Sequence, residues 1–377
     1  ETRATRSGSP EAWITPETST RTDLHSGRDF HHLSPGFTIA LGESEVFVHR
    51  RKMTSVAALV AFTLLTHQAS EPPIRVKVLV LNYDPIIASE GGKRLHEVLK
   101  WNDPKVLAAG YISDVREASG GFIQYEVKEW RDINKFPAKK DGYVYKPDEF
   151  LAIFREKKKH HEPDGVDYIR ALDENRVKEA IDSGKFDEIW FYNAPFFGFW
   201  ESNMAGPGAF FINGDAYPDY PTKRRFAIMG FSYERGVAEM IHNLAHRTEN
   251  HLKRVYGRWE ANQPDPNPWE KFSAYQKANG FAGVGNCHFP PNAEKDYDYD
   301  NPNPVQSDAD DWLSYPKLKG IKKTVSRETW GGPDYQRNYI KWWFSHIPKA
   351  AGKTADGRQA NWWKYIYDFN SYDEHGL

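Results

Sequence analysis

Residues 225–252 read RFAIMGFSYERGVAEMIHNLAHRTENHL, and they join a short apolar run to a segment with helical periodicity. The run from Arg225 to Gly230 is mostly apolar, which predicts a buried strand. Ser232 favours the N-terminal cap of a helix, and Glu234 follows in the first turn, where the helix dipole favours a carboxylate. The periodic pattern then continues for about five turns. We therefore expect a buried strand that leads directly into one long helix.

Comparable patterns occur elsewhere along the chain. Apolar runs lie at residues 74–81, 122–130 and 186–192, and helical periodicity is present at 92–101, 147–159 and 174–183. Strands that alternate with helices at this spacing predict a mainly parallel sheet covered on both faces. From about residue 257 the chain is rich in Pro, Asn, Asp, Gly and aromatic residues, with little periodicity. The sequence thus predicts one α/β domain over residues 71–377, with a mainly parallel sheet flanked by helices and a long irregular, aromatic-rich C-terminal region.

The composition is that of a globular protein with many aromatic residues. Of 377 residues, 39% are hydrophobic, 27% are charged and 15% are aromatic, including 13 Trp. The 50 Lys and Arg nearly balance the 52 Asp and Glu, so we expect no nucleic-acid partner. Cys287 is the single cysteine, which excludes an intramolecular disulfide.

The first 70 residues differ in character from the rest. Residues 1–52 are rich in Ser, Thr, Arg, Gly and Pro, which predicts a disordered or non-native extension. Residues 53–70 follow a basic run and combine an apolar run of about ten residues with a short polar tail, the layout of a secretory signal peptide. A membrane span takes about 20 residues, so we expect no stable span after cleavage and a secreted or periplasmic protein. An uncleaved N-terminal anchor is the alternative.

The helix expected after residue 232 places ionisable side chains on one face. Because residues three or four apart share a helical face, one stripe contains Arg235, Glu239, His242, His246 and Glu249. Such a stripe is unfavourable on an otherwise apolar helix unless its members pair with each other or hold a metal. His242 and His246 have the i, i+4 spacing at which one helix offers two imidazoles to one cation. A metal site and a structural ion-pair network both fit this pattern.

The histidine pair resembles the active-site helix of zinc metallopeptidases with a His-Glu-x-x-His motif. This resemblance covers the helix and the strand before it, and it implies zinc bound by His242 and His246. The chain departs from that motif at Asn243, which stands where the family has its general-base glutamate, and an amide cannot take a proton from water. Glu239 or Glu249, one turn to either side, would then supply the base or a third ligand.

Further candidates lie outside the helix. His288, in the turn-rich segment 283–292, is a candidate metal ligand, and Cys287 beside it is a softer donor. Trp200, Glu201 and Asn203 follow the apolar run 186–192, and open α/β folds bind ligands at the carboxyl ends of their strands. We expect these three residues, together with Arg235, to contact substrate.

Residues 296–301 begin with the alternating aspartates of a calcium loop. Asn301 replaces the glycine that the sharp turn requires, and Ser307 stands where a bidentate glutamate is needed. Calcium bound in another geometry, with Asp308, Asp310 and Asp311 close in sequence, is the alternative to a solvated acidic loop.

Three longer motifs carry a second resemblance: MAGPGA at 204–209, MGFSYERGVAEM at 229–240 and VGNCHFPPN at 284–292. They resemble a family of exported bacterial proteins without an established reaction, over roughly residues 74–369. Similar sequences often have a carboxylate at the position of His242 while His246 is kept. The resemblance implies an extracellular site centred on His246 and names no substrate.

Two functions from different classes follow as hypotheses. The first is an exported metal-dependent hydrolase with a zincin-like helix, in which His242 and His246 bind zinc, Glu249 or His288 completes the ligand set and Glu239 handles the proton. The second is an extracellular carbohydrate-directed protein, either a glycan-binding module or a metal-free glycosidase, in which exposed aromatic rings stack on sugars. In both cases the expected partner is an extracellular polymer, a peptide or a glycan.

Overall fold

The computed structural model describes residues 71–377. The strands of this part of the chain are β1 (Ile74–Tyr83), β2 (Ile86–Ile87), β3 (Lys93–Arg94), β4 (Ile123–Ile133), β5 (Glu188–Asn193), β6 (Ser202–Ala205), β7 (Ala216–Tyr217), β8 (Phe226–Ser232), β9 (Val305–Ser307), β10 (Lys323–Val325), β11 (Lys349–Lys353) and β12 (Gln359–Asn361). Its α-helices are α1 (Leu95–Val98), α2 (Pro104–Ala118), α3 (Pro147–Glu156), α4 (Tyr168–Glu174), α5 (Val177–Asp182), α6 (Val237–Tyr256), α7 (Pro268–Phe272), α8 (Gln276–Asn279), α9 (Arg327–Trp330), α10 (Tyr335–Ser345) and α11 (Trp363–Tyr367).

A six-stranded sheet in the order β4-β1-β5-β8-β6-β7 forms the centre of the fold. Strands β4, β1, β5 and β8 run parallel to one another, whereas β6 pairs with β8 in the antiparallel sense. Strand β5 is buried along its whole length, as expected for a central parallel strand with both faces covered. The predicted α/β fold with a mainly parallel sheet is confirmed.

Helix boundaries differ from the predicted ones in three places. The 15-residue helix α2 has no counterpart among the predicted helices. The pattern at 92–101 yields only the four-residue helix α1, and the pattern at 174–183 is divided between the end of α4 and α5. Arg176 lies between those two helices with a φ of 52°, in the left-handed region, so the helix cannot continue through it.

The long helix α6 begins later than the sequence suggests. Ser232 ends β8, and a turn follows in which the Arg235 N–H donates to the Ser232 carbonyl at 3.1 Å. Gly236 is the N-cap, and the Glu239 carboxylate accepts a hydrogen bond from the Gly236 N–H at 3.1 Å. The predicted cap at Ser232 is therefore wrong, because the chain needs a turn between the strand and the helix that covers it.

Aromatic side chains fill the core of the irregular C-terminal region. Trp312, Trp343, Trp362 and Trp363 are each at most 1% exposed. Helices α10 and α11 of this region pack against α6, so the region closes over the helix that carries the histidines. The buried tryptophans stabilise the region, and they are not available to stack on a sugar.

The predicted extension at 1–52 and the predicted signal peptide at 53–70 lie outside the described residues. In residues 71–377, no helix is both long and apolar enough to cross a membrane.

Candidate metal centre

Two segments of the chain meet at this site. Helix α6 contributes His242 and His246, and the loop between α8 and β9 contributes Cys287 and His288. One ligand atom from each of these four residues lies within 4.8 Å of the ligand atoms of the others. We call these four residues the His/Cys cluster. In residues 71–377 it is the one group of three or more His, Cys, Asp or Glu side chains that converge in this way.

The loop that carries Cys287 is held by the core beneath it. The Tyr339 hydroxyl donates to the Asn286 carbonyl at 2.8 Å, and the Trp343 indole N–H donates to the Gly285 carbonyl at 2.9 Å. Gly285 has a φ of 84°, and a side chain there would meet the Phe289 carbonyl oxygen at 2.4 Å. Only glycine allows the tight turn that presents the next residues to α6.

Glu249 connects the loop to the helix. Its Oε1 accepts the Cys287 backbone N–H at 2.7 Å, and its Oε2 lies 2.9 Å from Nδ1 of His246. Glu249 is buried, and each of its two carboxylate oxygens has a hydrogen-bond partner, as buried polar groups require. It therefore positions a cluster residue from each segment and does not itself belong to the cluster.

His246 and His288, the two imidazoles nearest the surface, each have a carboxylate next to Nδ1. Nδ1 of His246 contacts Glu249, and Nδ1 of His288 lies 3.0 Å from Oδ1 of Asp296. An ionised carboxylate only accepts hydrogen bonds, so each Nδ1 carries a proton, and in the neutral imidazoles each Nε2 presents a lone pair. The two Nε2 atoms face each other at 3.0 Å. Two facing lone pairs repel at this distance, so the contact requires a proton or a cation between them.

The remaining members of the cluster are more deeply buried. His242 is 6% exposed and Cys287 is fully buried, with 3.3 Å between Nδ1 of His242 and Sγ of Cys287. The ring of Tyr297 stacks at 5.8 Å from His242 and lies 4.3 Å from His288. This ring covers the cluster on the side of the acidic loop.

Burial and neighbouring charges set the protonation states. Burial, together with the nearby His246 and His288, lowers the pKa of His242 well below its ordinary value. Burial and the charge of His246 lower the pKa of His288, and burial raises the pKa of the Cys287 thiol to about 12. Burial also acts to lower the pKa of His246, but the neighbouring Cys287 and Glu249 outweigh it and leave that pKa raised. His242 and His288 are therefore neutral, whereas His246 holds a second proton in the metal-free protein. A bound metal would displace that proton and the thiol proton.

The donor set of the cluster consists of imidazole nitrogen and thiol sulfur. Imidazole nitrogen and thiolate sulfur are the ligands that zinc prefers, whereas calcium takes oxygen ligands. Tetrahedral zinc at the usual bond lengths separates its ligand atoms by roughly 3.3–3.6 Å. The observed separation of 3.0 Å between the facing Nε2 atoms is close to that spacing. The cluster could thus hold a metal ion with small adjustments.

The acidic segment predicted as an alternative calcium site is occupied by internal hydrogen bonds. Oδ2 of Asp298 accepts from the Glu294 N–H at 2.8 Å and from the Asn301 side chain at 2.7 Å. Asp311 accepts the N–H groups of Lys319 and Gly320. Within the described residues, the segment 296–311 forms no converging group of three carboxylates.

A cleft of about 490 Å³ opens onto the cluster. His246, His288 and Glu249 contribute to its wall, whereas His242 and Cys287 do not. The rest of the lining is polar or aromatic and consists mainly of Asn213, Asn250, Trp259, Glu260, Ser273, Tyr275, Asn279, Asn286 and Phe289. The predictions did not include these residues, because all except Asn250 of α6 come from loops and short helices without a periodic pattern.

Glu239 and Arg235 lie at the start of α6, away from the cleft lining. Besides capping the helix, Glu239 accepts from Arg235 at 3.4 Å. Asn243, at the position of the missing glutamate, donates to the Gly230 carbonyl at 2.8 Å and so ties α6 to β8.

The predicted substrate-binding residues 200–203 have different surroundings. The Trp200 indole donates to the Asn213 carbonyl, and the buried Asn203 side chain donates to the Asp215 carbonyl at 2.9 Å. Glu201 is half-buried and accepts a hydrogen bond from Asn213, which lines the cleft. Burial raises the pKa of Glu201, and the charges of His246 and Arg235 partly offset this rise. Of these residues, Glu201 is the one that is electrostatically coupled to the cluster.

Comparisons of the chain with protein-family models, with curated proteins and with solved structures found no match. The chemistry of the site therefore has to be argued from its own geometry.

Proposed function

We propose that the protein is an exported zinc-dependent hydrolase whose metal is held by His246, Cys287 and His288. The facing Nε2 atoms of His246 and His288 carry this proposal, because carboxylates on both Nδ1 atoms leave two lone pairs directed at one point. Both imidazoles also contribute to the wall of the cleft. A substrate in the cleft would therefore reach the metal directly.

Three protein ligands leave the fourth position of a tetrahedral ion open, which distinguishes a catalytic zinc site from a structural one. His242 lies on the buried side of the cluster, within 3.3 Å of the Cys287 sulfur. We assign it the role of donating a hydrogen bond to that sulfur, which would stabilise the thiolate. The open position would then face the cleft.

Glu201 is the best candidate for the proton acceptor. Two hydrogen bonds of Gly230 connect the backbone of Glu201 to Asn243: the Gly230 N–H donates to the Glu201 carbonyl at 2.9 Å, and the Gly230 carbonyl accepts from the Asn243 side chain. The Glu201 carboxylate is also electrostatically coupled to His246. In residues 71–377, Oε1 of Glu201 has no hydrogen-bond partner, whereas the other oxygen is held by Asn213. The half-buried carboxylate is thus oriented and can accept a proton.

Each of these residues has its own role in the proposed reaction. Zinc supplies Lewis acidity toward a carbonyl oxygen and lowers the pKa of water. Glu201 accepts the proton of the attacking water and returns it to the leaving group, and general acid–base catalysis of this kind contributes about 10²–10⁴-fold. Glu249 and Asp296 hold the imidazoles in the tautomer that binds metal. The cleft orients the substrate.

Export is the part of the proposal that rests on sequence alone. The predicted signal peptide at 53–70 supports a secreted or periplasmic location, where the substrate would be an extracellular polymer. N-terminal sequencing of the mature protein tests it, and we expect a start near residue 70.

Metal analysis of the protein purified without an affinity tag tests the site. We expect one zinc per chain in the wild type and in His242→Ala at saturating zinc, and little or none in His246→Ala or His288→Ala. His375→Ala is a matched control, since its side chain is 62% exposed and lies outside the cluster. Absence of stoichiometric zinc in the wild type would overturn the proposal. Loss of zinc in His242→Ala would indicate a closed site with four protein ligands and would overturn the catalytic role.

Glu201→Gln separates catalysis from metal binding. We expect this variant to bind zinc like the wild type but to hydrolyse an activated acetyl ester at least about 10²-fold more slowly. Unchanged hydrolysis would refute the assignment of Glu201. Circular dichroism and thermal unfolding of each variant show whether the fold is kept.

A further inference from the structure

The lining of the cleft indicates which kind of substrate fits it. None of its residues lies in a strand; they lie on α6, α7, α8 and the loops between and after these helices, with Asn213 on a separate loop. A protease that binds extended peptides commonly does so by pairing them with an exposed strand edge. This cleft offers no such edge to an extended peptide.

Hydrogen-bonding groups and aromatic rings line the cleft together. In residues 71–377, Oδ1 of Asn250 and the amide nitrogen of Asn279 have no partner, while the other polar atom of each side chain is held by the protein. Trp259 is fixed by a hydrogen bond from its indole to Ser273 at 2.8 Å, and it packs against Trp269. A fixed ring beside unengaged amide groups matches the alternating faces and hydroxyls of a sugar.

The charge of the cleft excludes an acidic ligand. No Lys or Arg is among the lining residues, whereas Glu249, Glu260 and Glu270 are. Arg258 neutralises Glu270 through two contacts of 2.8 and 2.9 Å, and Glu260 remains exposed. Zinc and the Cys287 thiolate together would add one positive charge, which the carboxylates of Glu249 and Glu260 outweigh. Phosphorylated, sulfated or uronic-acid ligands would therefore be disfavoured. An uncharged sugar chain meets no such repulsion.

We infer that the substrate is an uncharged, acetylated glycan and that the protein removes its acetyl groups. This inference rests on the zinc-dependent hydrolysis proposed above. Glycosidic bonds are usually cleaved by a pair of carboxylic acids, whereas a metal ion acts on a carbonyl group. In an uncharged glycan the carbonyl groups belong to acyl substituents. A metal at the wall of a sugar-binding cleft therefore points to deacetylation.

The step balances with water as the only co-reactant. The water oxygen forms a bond to the acetyl carbonyl carbon, and Glu201 accepts the proton that the water loses. The bond from that carbon to the sugar nitrogen or oxygen then breaks, and the leaving atom takes the proton from Glu201. The products are acetate and a free amine or hydroxyl on the glycan.

Two probes distinguish the sources of the acetyl group. The zinc-loaded full chain is incubated with a chitin tetrasaccharide, which carries N-acetyl groups, or with acetylated xylotetraose, which carries O-acetyl esters. We expect release of acetate from one of them with the sugar chain intact, and the probe that reacts identifies the linkage. Cleavage of the sugar chain, or no acetate from either probe, would overturn the inference.

Binding provides a readout that does not depend on turnover. We expect calorimetry to show that zinc-loaded Glu201→Gln binds the reactive tetrasaccharide and that an added Trp259→Ala weakens this binding about tenfold. Phe211→Ala is the matched control, because Phe211 is 57% exposed and does not line the cleft. Equal affinity with and without Trp259 would overturn the inference. If zinc binds and the activated ester is hydrolysed but neither glycan binds, the substrate class is wrong while the proposed function stands; if no zinc binds, the proposed function itself fails.

Discussion

Substituting Glu249 by Gln tests the arrangement that makes the cluster a metal site. In Glu249→Gln the side-chain oxygen can still accept the Cys287 N–H, but the new amide group would donate to Nδ1 of His246. His246 would then carry its proton on Nε2, where it can donate to Nε2 of His288 at 3.0 Å. The substitution therefore keeps these hydrogen bonds in the metal-free protein, but it removes a lone pair on Nε2 of His246 that metal binding needs.

The size of this effect follows from linkage. Loss of a carboxylate that orients a ligating histidine typically weakens metal binding about 10- to 100-fold. Zinc at 100 times its dissociation constant stabilises the wild type by about 2.7 kcal/mol. At the same zinc concentration, the variant would gain only between about 1.4 and about 0.4 kcal/mol. The zinc-induced rise in melting temperature should thus fall to about half or less of the wild-type rise.

Competition against a chromophoric chelator measures the zinc affinity, and thermal unfolding with and without zinc measures the stabilisation. Glu239→Gln is the matched control on the same helix, since Glu239 caps α6 and contacts no member of the cluster. We expect its zinc affinity to equal that of the wild type within about twofold. Zinc binding by Glu249→Gln at the wild-type affinity would refute the tautomer argument.

Three predictions concern the fold around the site. Burial and the neighbouring Arg247 lower the pKa of His251 to about 3. Because the pKa of this histidine is lower in the folded protein than in the unfolded chain, the protein loses stability as the pH falls below about 6.5, by up to about 1.4 kcal/mol per pH unit. In His251→Asn the free energy of unfolding should therefore depend less on pH between 6.5 and 5. Arg247→Met should cost about 3–5 kcal/mol, because it leaves the buried Glu188, now 2.6 Å from the guanidinium, with a hydrogen bond from Trp190 but without a counter-charge. Gly230→Ala should cost at least about 1–3 kcal/mol, since its new methyl group would lie 2.0 Å from the Trp200 carbonyl oxygen.

Chemical denaturation of each variant beside the wild type checks these three values. An unchanged pH profile in His251→Asn would contradict the buried neutral histidine. Near wild-type stability of Arg247→Met would mean that Glu188 finds another partner. Gly236→Ala is the control for Gly230→Ala, because its added methyl group would make only ordinary contacts, with Glu239 Oε2 at 3.6 Å and the Ala238 nitrogen at 4.0 Å. A similar loss of stability in both variants would show that the replacement of glycine as such, and not the contact of the new methyl group with the Trp200 carbonyl, causes the effect.

The parts of the fold with a local signal were predictable. Strand β8 and helix α6 follow from apolar runs and helical periodicity, which depend on neighbours within one turn or one pleat. Helix α2 is long but is not among the predicted helices, and α6 begins at Val237 because a turn precedes it. Starts of helices depend on where the chain leaves the sheet, and that is set by packing.

The candidate site was only half predictable. The spacing of His242 and His246 points to α6, and the sequence offers His288 as a candidate ligand on a loop. The role of Glu249 could not be read from the stripe, because its partners include the N–H of Cys287, 38 residues away. Likewise, the raised pKa of Glu201 results from burial in the folded chain.

The sequence by itself determined the alternation of strands and helices, the exclusion of a disulfide and the pair of histidines on one helical face. Each of these depends on residue type and short-range spacing, which survive in any conformation of the rest of the chain. Only the tertiary structure decided that His288 and Cys287 meet that pair, that carboxylates hold both outer imidazoles by Nδ1, and that the C-terminal tryptophans are buried. These facts depend on contacts between segments remote in sequence, and such contacts form only when the aromatic core brings the C-terminal region against α6.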